Sequence, residues 1–163
     1  MIRKILVSWE RQDLRLLPQM EDSTFLRQFE KSQFPPDQWH HREHIKAAYL
    51  YLRRYPFRQA LERIRTGIKA LNATQQVPES RTRGYHETMT QAWLTLVHLV
   101  LCEYGPETTA DRFYEEHPEL AQKKALRFFY SPGQLTSARA KARFVKPDLA
   151  PLPKPKKRRR SAA

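Results

Sequence analysis

This sequence has little cysteine, little glycine and no long apolar run. Cys102 is the single cysteine in 163 residues. No disulfide can form within one chain, so stability must come from a packed core, and the composition suits a reducing compartment. Cys102 lies in an apolar helical stretch and reads as a small core residue rather than a nucleophile. Four glycines are too few for the Gly-rich cradles that hold nucleotide phosphates, and no serine sits in a nucleophile elbow. The longest apolar stretch, 92–102, contains His98 and is too short to cross a bilayer. Charges come early, at Arg3, Lys4, Glu10 and Arg11, with no small-residue cleavage site. The expectation is therefore a soluble, cytoplasmic protein without a membrane span.

Basic charge is abundant. Thirty Lys and Arg against seventeen Asp and Glu give a formal net charge of +13. Six of these positive charges, Lys154, Lys156, Lys157, Arg158, Arg159 and Arg160, stand at the C-terminal end, where no acid follows Asp148. The rest of the chain is still basic, which makes an anionic partner plausible.

The apolar pattern is helical almost throughout. Asp22-Ser23 offers an N-cap before Phe25, Leu26 and Phe29. Ile45, Ala48, Tyr49 and Leu52 recur at helical spacing over about 41–55. Tyr55-Pro56 breaks that run, because the residue before proline avoids the α region. Pro56 opens a second run with Ala60, Leu61, Ile64, Ile68 and Leu71 on one face and arginines on the other. The short connection predicts a helical hairpin. A polar loop, 72–83, leads to a helix ending near Tyr104 that is apolar nearly all round and belongs at the centre of a bundle. Thr108 or Thr109 caps a further helix, and His117-Pro118 ends it. A last helix is expected over about 120–129, and one more turn over 137–142. Pro147, Pro151, Pro153 and Pro155 then favour extended chain.

The sequence thus predicts an all-α fold, a compact bundle of about five to seven helices. The expected organisation is an N-terminal arm or short strand over 1–21, with Ile2 to Trp9 as the strand candidate, then a helical domain over 22–146. An extended Pro-rich basic tail, disordered at its end, follows over 147–163.

Two polar clusters open helices. Trp39-His40-His41-Arg42-Glu43-His44 holds three of the six histidines, and Gly84-Tyr85-His86-Glu87-Thr88 begins the later, central helix. These, with Phe129-Tyr130-Ser131 and Pro147-Asp148-Leu149-x-Pro151-Leu152-Pro153, give the chain its resemblance. In the motifs Trp39-x-His41-x-x-His44, Gly84-Tyr85-His86-Glu87-Thr88 and the Pro-Asp-Leu-x-Pro-Leu-Pro segment, it resembles an uncharacterised family of small bacterial helical proteins. The resemblance spans about residues 22–153 and implies a compact helical domain. It carries no activity, and the basic end lies outside it.

His41 and His44, or His40 and His44, share one helical face and are close enough to grip one ion. Imidazole is a common ligand for zinc and iron. Two ligands do not make a tight site, so His86 and Glu87 are expected to complete it. The candidate metal set is His41, His44, His86 and Glu87, binding a divalent transition metal such as Zn or Fe, with an open position for water. Glu43 or Asp148 could orient a histidine. In a metal-free version, His44, His86 and Glu87 are the candidate acid–base residues. The spacing is not His-Glu-x-x-His, so a zinc protease is not expected. Arg81, Arg83 and Arg127 could hold an anion nearby. His98 reads as a core histidine, and His117 as a cap or a solvent-facing residue.

The first functional expectation is a metal-dependent or acid–base enzyme acting on a small molecule. The alternative is a nucleic-acid or polyanion-binding accessory protein, using Arg53, Arg54 and Arg58 with the tail residues Lys156, Lys157, Arg158, Arg159 and Arg160. That tail also has the form of a nuclear-localisation signal, relevant for a bacterial protein only if it is secreted into a host cell. Oligomeric state is not legible.

Overall fold

The computed structural model describes residues 20–155. The proposed N-terminal strand and the tail residues Lys156 to Arg160 lie outside them. Among the described residues the fold is all-α, with seven α-helices, three short 3-10 turns and no strand. The helices are α1 (Asp22–Glu30), α2 (His41–Arg54), α3 (Phe57–Thr74), α4 (Glu87–Tyr104), α5 (Ala110–Glu116), α6 (Pro132–Leu135) and α7 (Ala138–Ala142). The 3-10 turns are Pro36–Gln38, Pro118–Ala121 and Ala125–Phe128.

The helix boundaries follow local chemistry. Thr109 accepts the Arg112 N–H at 3.1 Å to cap α5, and Ser131 and Ser137 do the same for α6 and α7. Gly105, at φ +86°, ends α4 in a conformation that disfavours any side chain. Residues 120–129 do not form the single expected helix. Two 3-10 turns replace it, the first opened by Pro118 with the His117 carbonyl accepting the Leu120 N–H at 3.0 Å.

Helix α4 was expected at the centre, and its Ala92, Leu94, Leu96, Val97 and Val100 are buried. Its last turn is exposed, however, and Cys102 lies on the surface rather than in the core. The element surrounded on all sides is α2, buried continuously from Ile45 to Tyr51 and touching α1, α3, α4 and α5. This enclosure takes in a charge. Lys46 is 5 % exposed, and its Nζ donates to Asp111 Oδ2 at 2.9 Å. Arg42 donates to the other carboxylate oxygen at 2.6 Å. The pair ties α2 to α5, and the low exposure is tolerable because each charge is matched. Asp22 adds to this tie by accepting the Ala110 N–H with both carboxylate oxygens at 3.1 Å.

One end of the bundle is an aromatic stack. The rings of Phe29 and Trp39 lie parallel, 4.9 Å apart, with Phe25 and Phe34 against them. Phe29 is fully buried and sits where a Cβ on Gly67 of α3 would be, 2.4 Å from its ring atoms. At the start of α4, buried Thr88 donates to the Arg143 carbonyl at 2.9 Å and accepts the Val145 N–H at 3.1 Å. Asp148 binds the Ser131 amide and hydroxyl at 2.8 and 2.5 Å. Leu149 donates its N–H to the Phe129 carbonyl at 3.0 Å. The first residues after Pro147 are therefore docked on the bundle.

Candidate functional site

The N-terminal ends of α2 and α4 meet across a cavity of about 440 Å³, walled by α3. Trp39, His40, His41 and His44 enter it from the α2 end, and Tyr85, His86, Met89, Thr90 and Trp93 from the α4 end. Ile64, Ile68 and Asn72 of α3 form a third side, and Lys123 reaches it from the segment between the last two 3-10 turns. The three histidines singled out from sequence, His41, His44 and His86, thus line one space although about forty residues separate the two clusters. Glu87 does not line it.

The histidines are not equivalent. His86 is the N-cap of α4. Its Nδ1 accepts the Met89 N–H at 3.2 Å, so its Nε2 carries the proton donated to the Leu135 carbonyl at 2.8 Å. Both nitrogens are committed to backbone, and burial keeps the ring neutral by pulling its pKa below the ordinary value. His41 donates from Nε2 to the Leu120 carbonyl at 2.7 Å, and its ring meets Trp93 edge-on at 4.5 Å. Its pKa is lowered chiefly by burial, with Lys123 adding to the effect.

His44 stands one turn into α2, edge-on to Trp39 at 4.8 Å. Among the described residues neither of its ring nitrogens has a hydrogen-bond partner. Burial, and then the neighbouring His41, push its pKa down to about 4. It is a neutral imidazole at physiological pH, free to donate from one nitrogen and accept at the other. Trp39 also lines the cavity, and its indole Nε1–H is buried with no partner among the described residues.

Glu87 works elsewhere. Its carboxylate takes a bidentate pair from Arg65 of α3, at 2.8 and 2.5 Å, and a third hydrogen bond from Tyr85 Oη at 2.8 Å. The Arg65 guanidinium holds its pKa below the usual carboxylate range. This cluster fastens the start of α4 to α3. The four-ligand set is therefore not gathered as a set. His86 has no free nitrogen, Glu87 is occupied, and only His41 and His44 keep an uncommitted lone pair. Among the described residues no group of three or more His, Cys, Asp or Glu side chains is arranged to hold a metal ion. The donors present do not fit the expected metal centre.

The proposed orienting carboxylates are also engaged differently. Glu43 accepts the His40 N–H at 2.9 Å at the start of α2, and Asp148 holds Ser131. His117 is buried at 7 % exposure against Phe113 and Tyr104, rather than facing solvent. His98 is half-buried beside Phe57. Arg81, Arg83 and Arg127 are exposed, and none lines the cavity.

A wider, shallower groove of about 760 Å³ adjoins the cavity and shares Asn72 and Tyr85 with it. Lys141 bridges the Glu79 carboxylate at 2.7 Å and the Tyr85 carbonyl at 2.5 Å there. Gly84, at φ +89°, leaves room for that carboxylate, which lies 2.3 Å from where a side chain would begin. The glycine of Gly84-Tyr85-His86-Glu87-Thr88 thus positions the tyrosine and histidine beside it.

For the alternative surface, Arg53 donates to Tyr49 Oη at 3.0 Å and to the Glu107 carbonyl at 3.3 Å. Arg54 and Arg58 are exposed. Trp39, Trp93, Asn72 and Lys123 were not expected as site residues. Trp39 carries an available signal, two residues before His41, whereas Trp93 meets His41 only in the fold. Lys123 has none in sequence. No family model, curated protein or solved structure matches this chain.

Proposed function

We propose that this protein binds a small molecule in the cavity between the starts of α2 and α4, and that His44 exchanges protons or hydrogen bonds with it. The observation that carries this reading is His44 itself, a neutral imidazole lining the cavity, with neither ring nitrogen bonded among the described residues. His44 is half-buried, and among the described residues no group uses its ring nitrogens, so a molecule entering the cavity meets one free donor and one free acceptor. The size of the cavity falls in the lower part of the ~300–1,000 Å³ range of small-molecule pockets. An imidazole that can accept at one nitrogen while donating from the other can move a proton between two positions of a bound molecule. His41 and His86 hold their tautomers through backbone bonds and shape the wall.

The test is a titration of the full chain, with labelled histidine and tryptophan, against a panel of one- and two-ring compounds, neutral, anionic and cationic, that includes indole and indole-3-carboxylate. The expected result is saturable shifts at His44, Trp39 and Trp93, with His98 and His117 unmoved. Absence of any cavity shift across the panel would overturn the reading.

A further inference from the structure

We infer that the ligand class is a planar organic acid, an aromatic ring bearing a carboxylate, rather than a neutral or cationic compound. This rests on the reading of the cavity as a ligand site and adds the chemistry of what enters it.

The walls favour a flat apolar body. Trp39 is fixed by its parallel stack on the fully buried Phe29, 4.9 Å away, so its indole cannot turn aside. Trp93 is held edge-on to His41 at 4.5 Å. Ile64, Ile68 and Leu94 supply the rest of the apolar lining. Aromatic faces in this setting favour offset or edge contacts with another ring.

The polar groups favour negative charge. No Asp or Glu lines the cavity. The two nearest along the chain are engaged, Glu43 with the His40 amide and Glu87 with Arg65 and Tyr85. Against this stand the His44 ring, the Asn72 amide and the exposed Lys123. Lys123 has no ion pair among the described residues. Bonds in which one member is ionised are roughly twice as strong as neutral ones. An anion gains from every one of these groups, whereas an ammonium would meet Lys123 with no carboxylate to balance it.

The discriminating experiment compares three probes of the same shape by calorimetry and labelled-tryptophan NMR on the full chain. They are indole-3-carboxylate, indole-3-carboxamide and 3-(aminomethyl)indole. The acid should bind at least tenfold more tightly than the amide, and the amine should bind weakest. Lys123→Gln should cut the acid-over-amide preference at least threefold. An amide that binds as well as the acid, or an amine that binds best, would overturn the organic-acid inference while leaving the cavity reading intact. If none of the three perturbs Trp39 or Trp93, the cavity reading falls and this inference with it.

Discussion

Replacing Glu87 by glutamine separates a structural carboxylate from a reacting one. In the folded chain Glu87 accepts three hydrogen bonds, two from Arg65 and one from Tyr85, and its side chain is 11 % exposed. Losing one partner of a buried, hydrogen-bonded ion pair costs about 3–5 kcal/mol. Arg65 is 24 % exposed and has a second carboxylate, Glu62, at 2.6 Å, so solvent and Glu62 recover part of this. A loss of about 2–3 kcal/mol remains, equivalent to a melting temperature about 5–10 °C lower for a chain of this size. Arg65→Met with Glu87→Gln should restore part of it, because no charge is then left unmatched. The pH dependence has a definite sign. The pKa of Glu87 is depressed in the fold, so its contribution is present above the unfolded value of about 4.3 and is lost as pH falls through the lower folded value. The gap between wild type and variant should therefore close below about pH 4. Thermal melts followed by circular dichroism across pH 3–7 measure this, with indole binding measured on the same samples. A Glu87→Gln protein as stable as wild type but unable to bind would refute the reasoning and return Glu87 to the site.

Three other outcomes are expected. Gly67→Ala should destabilise by about 1–2 kcal/mol in urea denaturation, even though alanine is the better helix former by about 1 kcal/mol. Its Cβ would lie 2.4 Å from the ring of Phe29, which is fully buried and cannot swing away. Thr88→Val keeps the shape but strands the Val145 N–H and the Arg143 carbonyl, so it should cost about 2–4 kcal/mol and speed hydrogen exchange at Val145. His44 should titrate near 4 by NMR. The unfolded chain takes up that proton first, so stability should fall by about 2–3 kcal/mol on its account as pH drops from about 6.5 to 4, and His44→Phe should remove that share while leaving the part due to His41 and His86, whose pKa values are also lowered.

Much of the fold was legible because its helices announce themselves locally. Ile45, Ala48 and Tyr49, or Ala60, Leu61, Ile64 and Ile68, have a spacing that only a helix converts into one buried face. Pro56, Gly105 and Thr109 mark boundaries through fixed φ, a tolerated positive φ and a capping oxygen. The 120–129 segment misled because its bulky residues suit two 3-10 turns as well as a helix, and only the surface they pack on decides. Lys46 gave no sign of burial, since its tolerance depends on Asp111, sixty-five residues away.

The candidate site divides along the same line. The sequence alone determined that His41, His44 and His86 open two helices, because helix-start chemistry is local and sits in the residues themselves. Their meeting at one cavity, the diversion of Glu87 to Arg65, and the freedom of His44 beside an unpaired Trp39 N–H were decided only by tertiary structure. A hydrogen bond needs a partner within about 3 Å, and which partner comes that close depends on how α2, α3 and α4 pack.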